Sequence, residues 1–554
     1  MSIIPAPLTH TPGSGDPFIL DASTPITADA PDLAPIVAWF RASLATLAGI
    51  ALTDTAETNS SPAIHLSLAP DDAALAALPA PLGLRPDDGD AGVERYALTI
   101  AHGGISLVAT APEGIFRGLT TLLQLAATAP VRDDAILLSP VAIQDAPRFA
   151  WRGLSFDVVR CAFSVAEVTR VIDLLALYKA NTLHLHLTDS EGWRIQIDAW
   201  PKLTAISGTT AANGRPGLFY TKDDYREIVR HAADRFITVI PEIEMPGHTA
   251  AIFAAYPELA GDGTSDAAEV TSKACYFQAM DPENPDIFGF IRDVLTEVAA
   301  ITPGPYLHIG GDEALGMDAQ QYARFMQAAM PMVEEVGKKP IAWQEAARAG
   351  FQPGQIAQLW ISATLNGTDA AAGPDLADLD LPEGFTMPEG NEDVLAAFGE
   401  FMQVAGLDLG KALDQGARIL LSDSSVSYLD TKYREETADP AQLPIQKRLG
   451  MPFYPRKTVQ EFFQWDPISQ RPELSPQRMV GIEAAIWCET IASFDDLLFM
   501  LLPRLPGLME KGWSPAATGP DAGWNAYAPR LAAQAGIWET LQLPYFRSSV
   551  VWNG

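Results

Sequence analysis

Cysteine, histidine and positive charge are all scarce in this chain. Its 554 residues hold 3 cysteines, 8 histidines and 37 Lys+Arg against 69 Asp+Glu, for a formal net charge of -32. Cys161, Cys275 and Cys488 are odd in number and far apart, which fits neither a disulfide framework nor a zinc spacing. A field of that sign repels phosphate polymers and anionic bilayers, so nucleic acid and membrane are excluded as expected partners. Long apolar runs are missing too: the best stretch, 165–187, is broken by Glu167, Arg170, Asp173 and Lys179. No Lys or Arg precedes Arg41, so no secretory signal is visible and a cytoplasmic location is expected, although a chain stripped of its leader would read the same.

What is present is material for a large core. Hydrophobic residues make up 48% of the chain and charged residues 19%, which excludes global disorder. Residues 1–145 read as a small α+β domain. A helix is expected over 32–47, a strand over 64–68, a hairpin over 96–109 turning at His102-Gly103-Gly104, and an apolar helix over 112–127. From Trp151 strands alternate with helices. Strands are expected to begin near Gly153, Asn181, Ile237, Pro305, Pro340, Gln355, Arg418 and Val480. Helices fall between several of them, one opened by the capping box Ser164-x-x-Glu167. Eight strands with intervening helices predict a (β/α)8 TIM barrel over 146–509. The link between the fifth and sixth strands is too short for a full helix. An acidic Gly/Pro-containing stretch, 363–392, reads as an insertion, and 510–554 as helix and loop packed on the barrel.

Active sites of such barrels lie at the C-terminal ends of the strands. Those ends carry Asp157 and Arg160; His184, His186 and Asp189; Glu242, Glu244 and His248; His308, Asp312 and Glu313; Trp343 and Glu345; Trp360; Asp423, Tyr428 and Asp430; and Trp487 and Glu489. Acids and tryptophans at nearly every strand end describe a sugar pocket, since indole faces cover the C–H face of a pyranose while carboxylates and Arg hold hydroxyls. Neighbouring strand residues point to opposite faces, so Asp312 and Glu313 both reach the pocket only if the strand stops at Gly310-Gly311. His184 and His186 read as core residues; His248, following Pro246-Gly247, lies in a loop at the pocket end. His308-x-x-x-Asp312-Glu313 is not a metal spacing of the HExxH kind, so no metal is expected.

The motifs LHLHLTDSEGWR at 183–194, PEIEMPGH at 241–248 and HIGGDE at 308–313 resemble those of family 20 glycoside hydrolases, the β-N-acetylhexosaminidases. GLSFDVVR at 153–160, YLD at 428–430 and AIWCE at 485–489 resemble the same family, in the same order. The resemblance implies a retaining exo-enzyme that removes terminal β-linked GlcNAc or GalNAc from an oligosaccharide or glycoconjugate. It further implies no cofactor and substrate-assisted catalysis through an oxazolinium ion. Carried residue by residue, it makes Glu313 the general acid and base, and Asp312 and Tyr428 the groups that orient the 2-acetamido arm. His248 and Asp189 become a relay to Glu313. Arg160, Asp430 and Glu489 become hydroxyl-binding groups, and Trp343, Trp360 and Trp487 the pocket walls.

The chain departs from the family pattern at Ser190, where a second acid is common, at Glu244, often Asp, and at Cys161. The interval from Trp360 to Tyr428 is longer than the family pattern. Two alternatives stay open at this point: a disaccharide-releasing lacto-N-biosidase of the same family, and a carbohydrate-binding protein on an inactivated barrel. Assembly into a homo-oligomer is also open.

Overall fold

The computed structural model describes residues 2–53, 63–260, 278–361, 404–452, 454–469 and 471–552. The expected insertion at 363–392 and Cys275 lie outside the described residues. Eight parallel strands close into a barrel in chain order: β1 (Trp151–Asp157), β2 (Thr182–His186), β3 (Thr238–Glu242), β4 (Tyr306–His308), β5 (Lys339–Trp343), β6 (Ile356–Leu359), β7 (Arg418–Leu421) and β8 (Met479–Ile486). All eight coincide with the strands expected from sequence. β1 pairs with both β2 and β8, which seals the cylinder and leaves no free edge.

Local chemistry explains the helices around it. Val165–Leu177 starts at the expected capping box: Glu167 N–H donates to Ser164 Oγ, and Ser164 N–H to Glu167 Oε2. Lys222–Ala233 and Ala319–Glu335 start on the same device, with Thr221/Asp224 and Asp318/Gln321. Between β5 and β6 there is only a 3₁₀ turn, Gln344–Arg348, the reduced element anticipated from the short link. Among the described residues, no helix is long and apolar enough to cross a membrane.

The barrel interior is layered. At its floor Trp151, Ile240, Tyr306, Ile341, Ile356, Leu420 and Val480 form an apolar plug. Above it the inward positions turn polar with His184, Glu242, His308, Gln358 and Glu483, all buried. At the mouth, Trp343, Trp360, Tyr428 and Ala485 cluster with Trp487 and Tyr454.

The preceding domain is a six-stranded sheet with helices Ala34–Ala48 and Pro112–Thr128. The expected hairpin is present as Tyr96–Ala101 paired with Gly104–Ala109. Strands Thr9–Pro12 and Ile26–Ala28 at the edges of that sheet carry no clear alternation and were not anticipated. A buried charge cluster joins this domain to the barrel. Glu94 Oε1 accepts from Arg117 Nε at 2.9 Å and from Arg152 Nη2 at 2.5 Å, Arg152 being a β1 residue. Glu113 accepts from Arg85 at 2.8 Å and Arg117 at 2.9 Å. Asp145 is a second junction, taking Lys179 Nζ at 2.9 Å and Trp513 Nε1 at 3.0 Å.

The chain's two ends are packed together. Ile3 and Ile4 are buried, Gln534 donates to Ser2 O at 2.6 Å, and Arg530 to Ile3 O at 2.8 Å. Both donors lie on the helix Pro520–Thr540. Residue 510, where the C-terminal segment was expected to begin, lies within the helix Arg504–Trp513. That helix stays continuous because it packs on β1 and β8 while its end accepts Phe149 N–H and Arg148 N–H.

Replacing Glu94 removes the one carboxylate shared by Arg117 and Arg152, both fully buried, and leaves their charges under-compensated. Glu94→Ala is expected to lower the unfolding free energy by about 3–5 kcal/mol, read from urea denaturation followed by circular dichroism.

Candidate active site

The pocket is built where β3 and β4 end. β4 stops at His308, and the chain then turns through Gly310 at φ +68°, Gly311 at φ +104° and Glu313 at φ +44°. This left-handed turn breaks the strand alternation, so Asp312 and Glu313 both face His248. A Cβ on Gly310 would lie 1.9 Å from Glu244 Oε2, so only glycine fits there. His248 is itself held at φ +55°. Non-glycine residues rarely adopt such angles, and they persist where surrounding contacts over-determine them.

His248 is the meeting point of three acids. Its Nδ1 lies 3.1 Å from Asp189 Oδ1, and its Nε2 lies 3.6 Å from both Asp312 Oδ2 and Glu313 Oε2. Burial opposes a charge on this ring, but Asp189 and Asp312 outweigh it and hold the imidazolium. Burial also works against the Asp189 carboxylate, which Arg160, His248 and His186 keep ionised well below the usual range. Glu313 moves the other way. Burial pushes its carboxyl up to about 7, with Asp312 adding to the rise and His248 opposing it. A carboxyl poised near neutrality can both give and take a proton.

Arg160 spans several acids: Asp189 at 2.6 Å, Glu191 at 3.0 Å and Asp157 at 3.4 Å, with its guanidinium 5.5 Å from the Trp487 ring centre. Asp157 itself is fixed by Val159 N–H, Arg160 N–H and Cys488 N–H, tying the end of β1 to that of β8.

Beside Arg160, Asp430 is buried and Glu489 half-buried, and both Asp430 oxygens and Glu489 Oε2 make no hydrogen bond to the protein. Burial pushes both carboxyls up, with Glu489 adding to the rise at Asp430, and Asp157 and Asp189 adding to it at Glu489 against the pull of Arg160. Asp312 Oδ1 is likewise buried without a protein partner. Unpaired buried acceptors are costly and mark where a ligand's hydrogen-bond donors belong.

The aromatic wall is assembled from four strand ends. Trp360 and Tyr428 are near parallel, 8° apart with centroids at 6.5 Å. Trp487 stands 6.0 Å from Tyr428 and 6.1 Å from Trp343. Trp343 is fully buried, its Nε1 donating to Glu242 at 3.0 Å; Trp360 Nε1 donates to Glu345 at 2.9 Å. The structure therefore brings together every residue to which the family resemblance gave a role: Asp189, His248, Asp312 and Glu313 on one side, Arg160, Asp430 and Glu489 on another, and Trp343, Trp360, Tyr428 and Trp487 between them, while Asp423 turns away to cap Ser424–Ser427 and pair with Arg471.

Three contributors had no assigned role. Tyr454 packs edge-on against Tyr428 at 5.6 Å, among the charges of Asp430, Glu489 and Glu313. It lies in a long loop with no periodicity to flag it. Glu345 anchors Trp360, and burial keeps its carboxyl well above the ordinary range. Glu242 lies at the centre of the polar layer. His184, Glu242 and His308, and likewise His186, Glu242 and Glu244, place ligand-type atoms within 4.8 Å of one another. The Glu242 oxygens, however, are hydrogen-bonded to Trp343 and His186, so these groups are already engaged as a bonded network.

Known proteins resemble this chain over its whole length. The family model described as "Glycosyl hydrolase family 20, catalytic domain" matches residues 149–321 and 401–516, and "Glycosyl hydrolase family 20, domain 2" matches 1–146. A β-N-acetylhexosaminidase of Cellulomonas fimi is 32% identical over 559 residues, covering 100% of this chain and 98% of its own. Among solved structures, the N-acetyl-β-hexosaminidase of Streptomyces plicatus in complex with Thio-NAglucal superposes with a TM-score of 0.80 at 34% identity, covering 100% of this chain and 97% of its own. The β-N-acetylhexosaminidase of Streptomyces coelicolor A3(2) gives the same TM-score, 0.80, and identity, 34%, over 99% of this chain and 98% of its own.

Gly310→Ala is expected to cost roughly 1–3 kcal/mol for the backbone angle alone, with a further loss from the collision with Glu244. A lowered melting temperature together with loss of catalysis checks it.

Proposed function

The chain belongs to glycosyl hydrolase family 20 and is a glycoside hydrolase of the β-N-acetylhexosaminidase kind, and from that premise we propose a retaining exo-acting enzyme that works by substrate assistance. The observation that carries this reading is the pair Asp312 and Glu313, turned side by side toward His248.

In the first step the carbonyl oxygen of the sugar's own 2-acetamido group attacks the anomeric carbon. The bond to the leaving oxygen breaks as Glu313 gives that oxygen its proton. Asp312 accepts the acetamido N–H through an oxygen that has no protein donor, and its charge offsets the positive charge developing on the oxazolinium ring. Tyr428, whose phenol burial keeps protonated, donates to the acetamido oxygen. In the second step water adds to the anomeric carbon from the face the leaving group vacated. Glu313 takes its proton and the oxazolinium C–O bond opens, restoring the acetamido group. Two inversions give net retention. Holding the acetamido arm in attack geometry replaces an enzyme nucleophile, an advantage that intramolecular reactions realise strongly.

The remaining residues bind and orient. Arg160 addresses the 3- and 4-hydroxyls, and the unpartnered oxygens of Asp430 and Glu489 accept from the 4- and 6-hydroxyls. Trp343, Trp360 and Trp487 wall the acetamido arm and the sugar face. His248 and Asp189 hold Glu313 in register and balance its charge. The substrate class is an oligosaccharide or glycoconjugate ending in a β-linked N-acetylhexosamine.

The deciding assay is hydrolysis of p-nitrophenyl β-N-acetylglucosaminide beside the plain β-glucoside. Turnover of the acetamido sugar alone is expected, and equal rates on both sugars would refute substrate assistance. Glu313→Gln should lower kcat by at least about 10²-fold while leaving sugar affinity, whereas a binding protein would be indifferent to it. Asp312→Asn should cost about 10²-fold. Because the acid must enter protonated and its carboxyl sits at about 7, kcat/KM should fall as pH rises through about 7.

A further inference from the structure

We propose that His186 is a positioning residue for this reaction: locked between two carboxylates beneath the pocket, it keeps Asp189 charged and aimed at His248, and through them governs how Glu313 holds its proton. The inference rests on the assignment of Glu313 as acid and base.

His186 is the last residue of β2 and is 1% exposed. Its Nδ1 lies 2.5 Å from Glu242 Oε2 and its Nε2 2.9 Å from Asp189 Oδ2. A neutral imidazole has one N–H and would turn a lone pair on one of these carboxylates, so a ring with a carboxylate at each nitrogen carries both protons. His184 lies one step deeper, its Nδ1 hydrogen-bonded to Glu483 at 2.9 Å and its Nε2 3.1 Å from Glu242, an ion-pair distance without hydrogen-bond geometry. The result is a row of alternating charges: Asp189, His186, Glu242, His184, Glu483. Each inner member is flanked by opposite charge, the condition under which a dry interior tolerates ions. Burial opposes charge on both rings, but the flanking carboxylates carry His186 to about 10 and His184 to about 9.

The row has one open end. At the bottom, Glu483 takes neutral donors, Trp151 Nε1 at 3.0 Å and Gln358 Nε2 at 2.9 Å. At the top, Asp189 meets His248 at 3.1 Å, and His248 faces Glu313. The other groups around His186 are Glu244, 3.8 Å away, and the edge-on Trp487 ring; Glu242 also meets His308 at 2.8 Å. Around Glu313 stand His248, Asp312, Arg160, Asp189 and Tyr454. Arg160 also neutralises Asp189, at 2.6 Å, but in the reaction its guanidinium is shared with the sugar hydroxyls. His186 is the partner of Asp189 that the substrate never recruits.

The test compares His186→Gln with His184→Gln, an equally buried ring one carboxylate further from Asp189. The readouts are kcat/KM against pH on p-nitrophenyl β-N-acetylglucosaminide and thermal melting. Removing a cation near Glu313 makes its carboxylate harder to form, so the basic limb of His186→Gln should move to higher pH by roughly half a unit or more. Its plateau should fall about 10–100-fold. His184→Gln should lose comparable melting temperature with a clearly smaller limb shift. A folded His186→Gln enzyme with the wild-type limb, or an equal shift in His184→Gln, overturns the proposal. Should His186→Gln not fold, ring ¹⁵N spectra of the wild type, with its 8 histidines labelled, decide instead. Three doubly protonated rings (His184, His186 and His248) are expected to persist at pH 8.5, and fewer than three overturns the proposal. Absence of wild-type turnover would defeat the assignment of Glu313 and leave the ring spectra as an independent reading of the charge row.

Discussion

A carboxylate in the middle of a dry barrel must be surrounded by donors, and Glu242 is that carboxylate here. Buried completely, it is held ionised by the charged rings of His184 and His186, with Trp343 Nε1 donating to its other oxygen. The demand for partners fixes what β2, β4 and β5 carry at their inward positions. It orients Trp343 at the mouth, and it sets a polar storey between the apolar floor and the aromatic pocket. Removing any one partner would leave a charge where water cannot reach it. The middle of the barrel is therefore constrained by electrostatic balance as tightly as its floor is by packing.

The pocket above applies a second rule. Several of its buried acceptors, Asp312 Oδ1, both Asp430 oxygens and Glu489 Oε2, make no hydrogen bond to the protein. Asp157 is satisfied by three backbone N–H groups, while neither Asp430 oxygen has a protein donor in good hydrogen-bond geometry. The contrast lies in local backbone geometry, since Asp157 ends its strand while Asp430 follows a short helix, Ser424–Ser427, beyond the end of β7. The same contrast separates Asp189, ionised by a ring of cations, from Glu313, lifted toward neutrality by burial and a neighbouring acid.

Much of this was legible in the amino-acid order. The eight strands announce themselves by apolar runs of strand length with turn chemistry between them, and the polar residues at their ends converge as barrel geometry demands. The Gly310-Gly311 pair carried its own meaning, because only a break in alternation turns Asp312 and Glu313 the same way. His184 and His186 were recognisable as core residues but not by whom they are satisfied, because Glu483 is 299 positions away from His184. Tyr454 was invisible for a related reason: a loop residue has no periodicity, and its neighbours come from other strands. Short edge strands such as Thr9–Pro12 escaped because their pairing with Val141–Asp145 is decided by tertiary contact rather than propensity.

The packing of the first residues beneath the helix Pro520–Thr540 bears on how the protein is made. Ser2 and Ile3 are synthesised before the barrel, whereas Gln534 and Arg530, which donate to their carbonyls, are synthesised only after it. The leading segment and the domain behind it must wait through synthesis of the whole barrel with that seam unclosed. Such waiting exposes apolar surface to other nascent chains. The helix Pro520–Thr540 thus acts as the clasp, and a chain stopped before it would hold a finished barrel beside an unsecured leading segment.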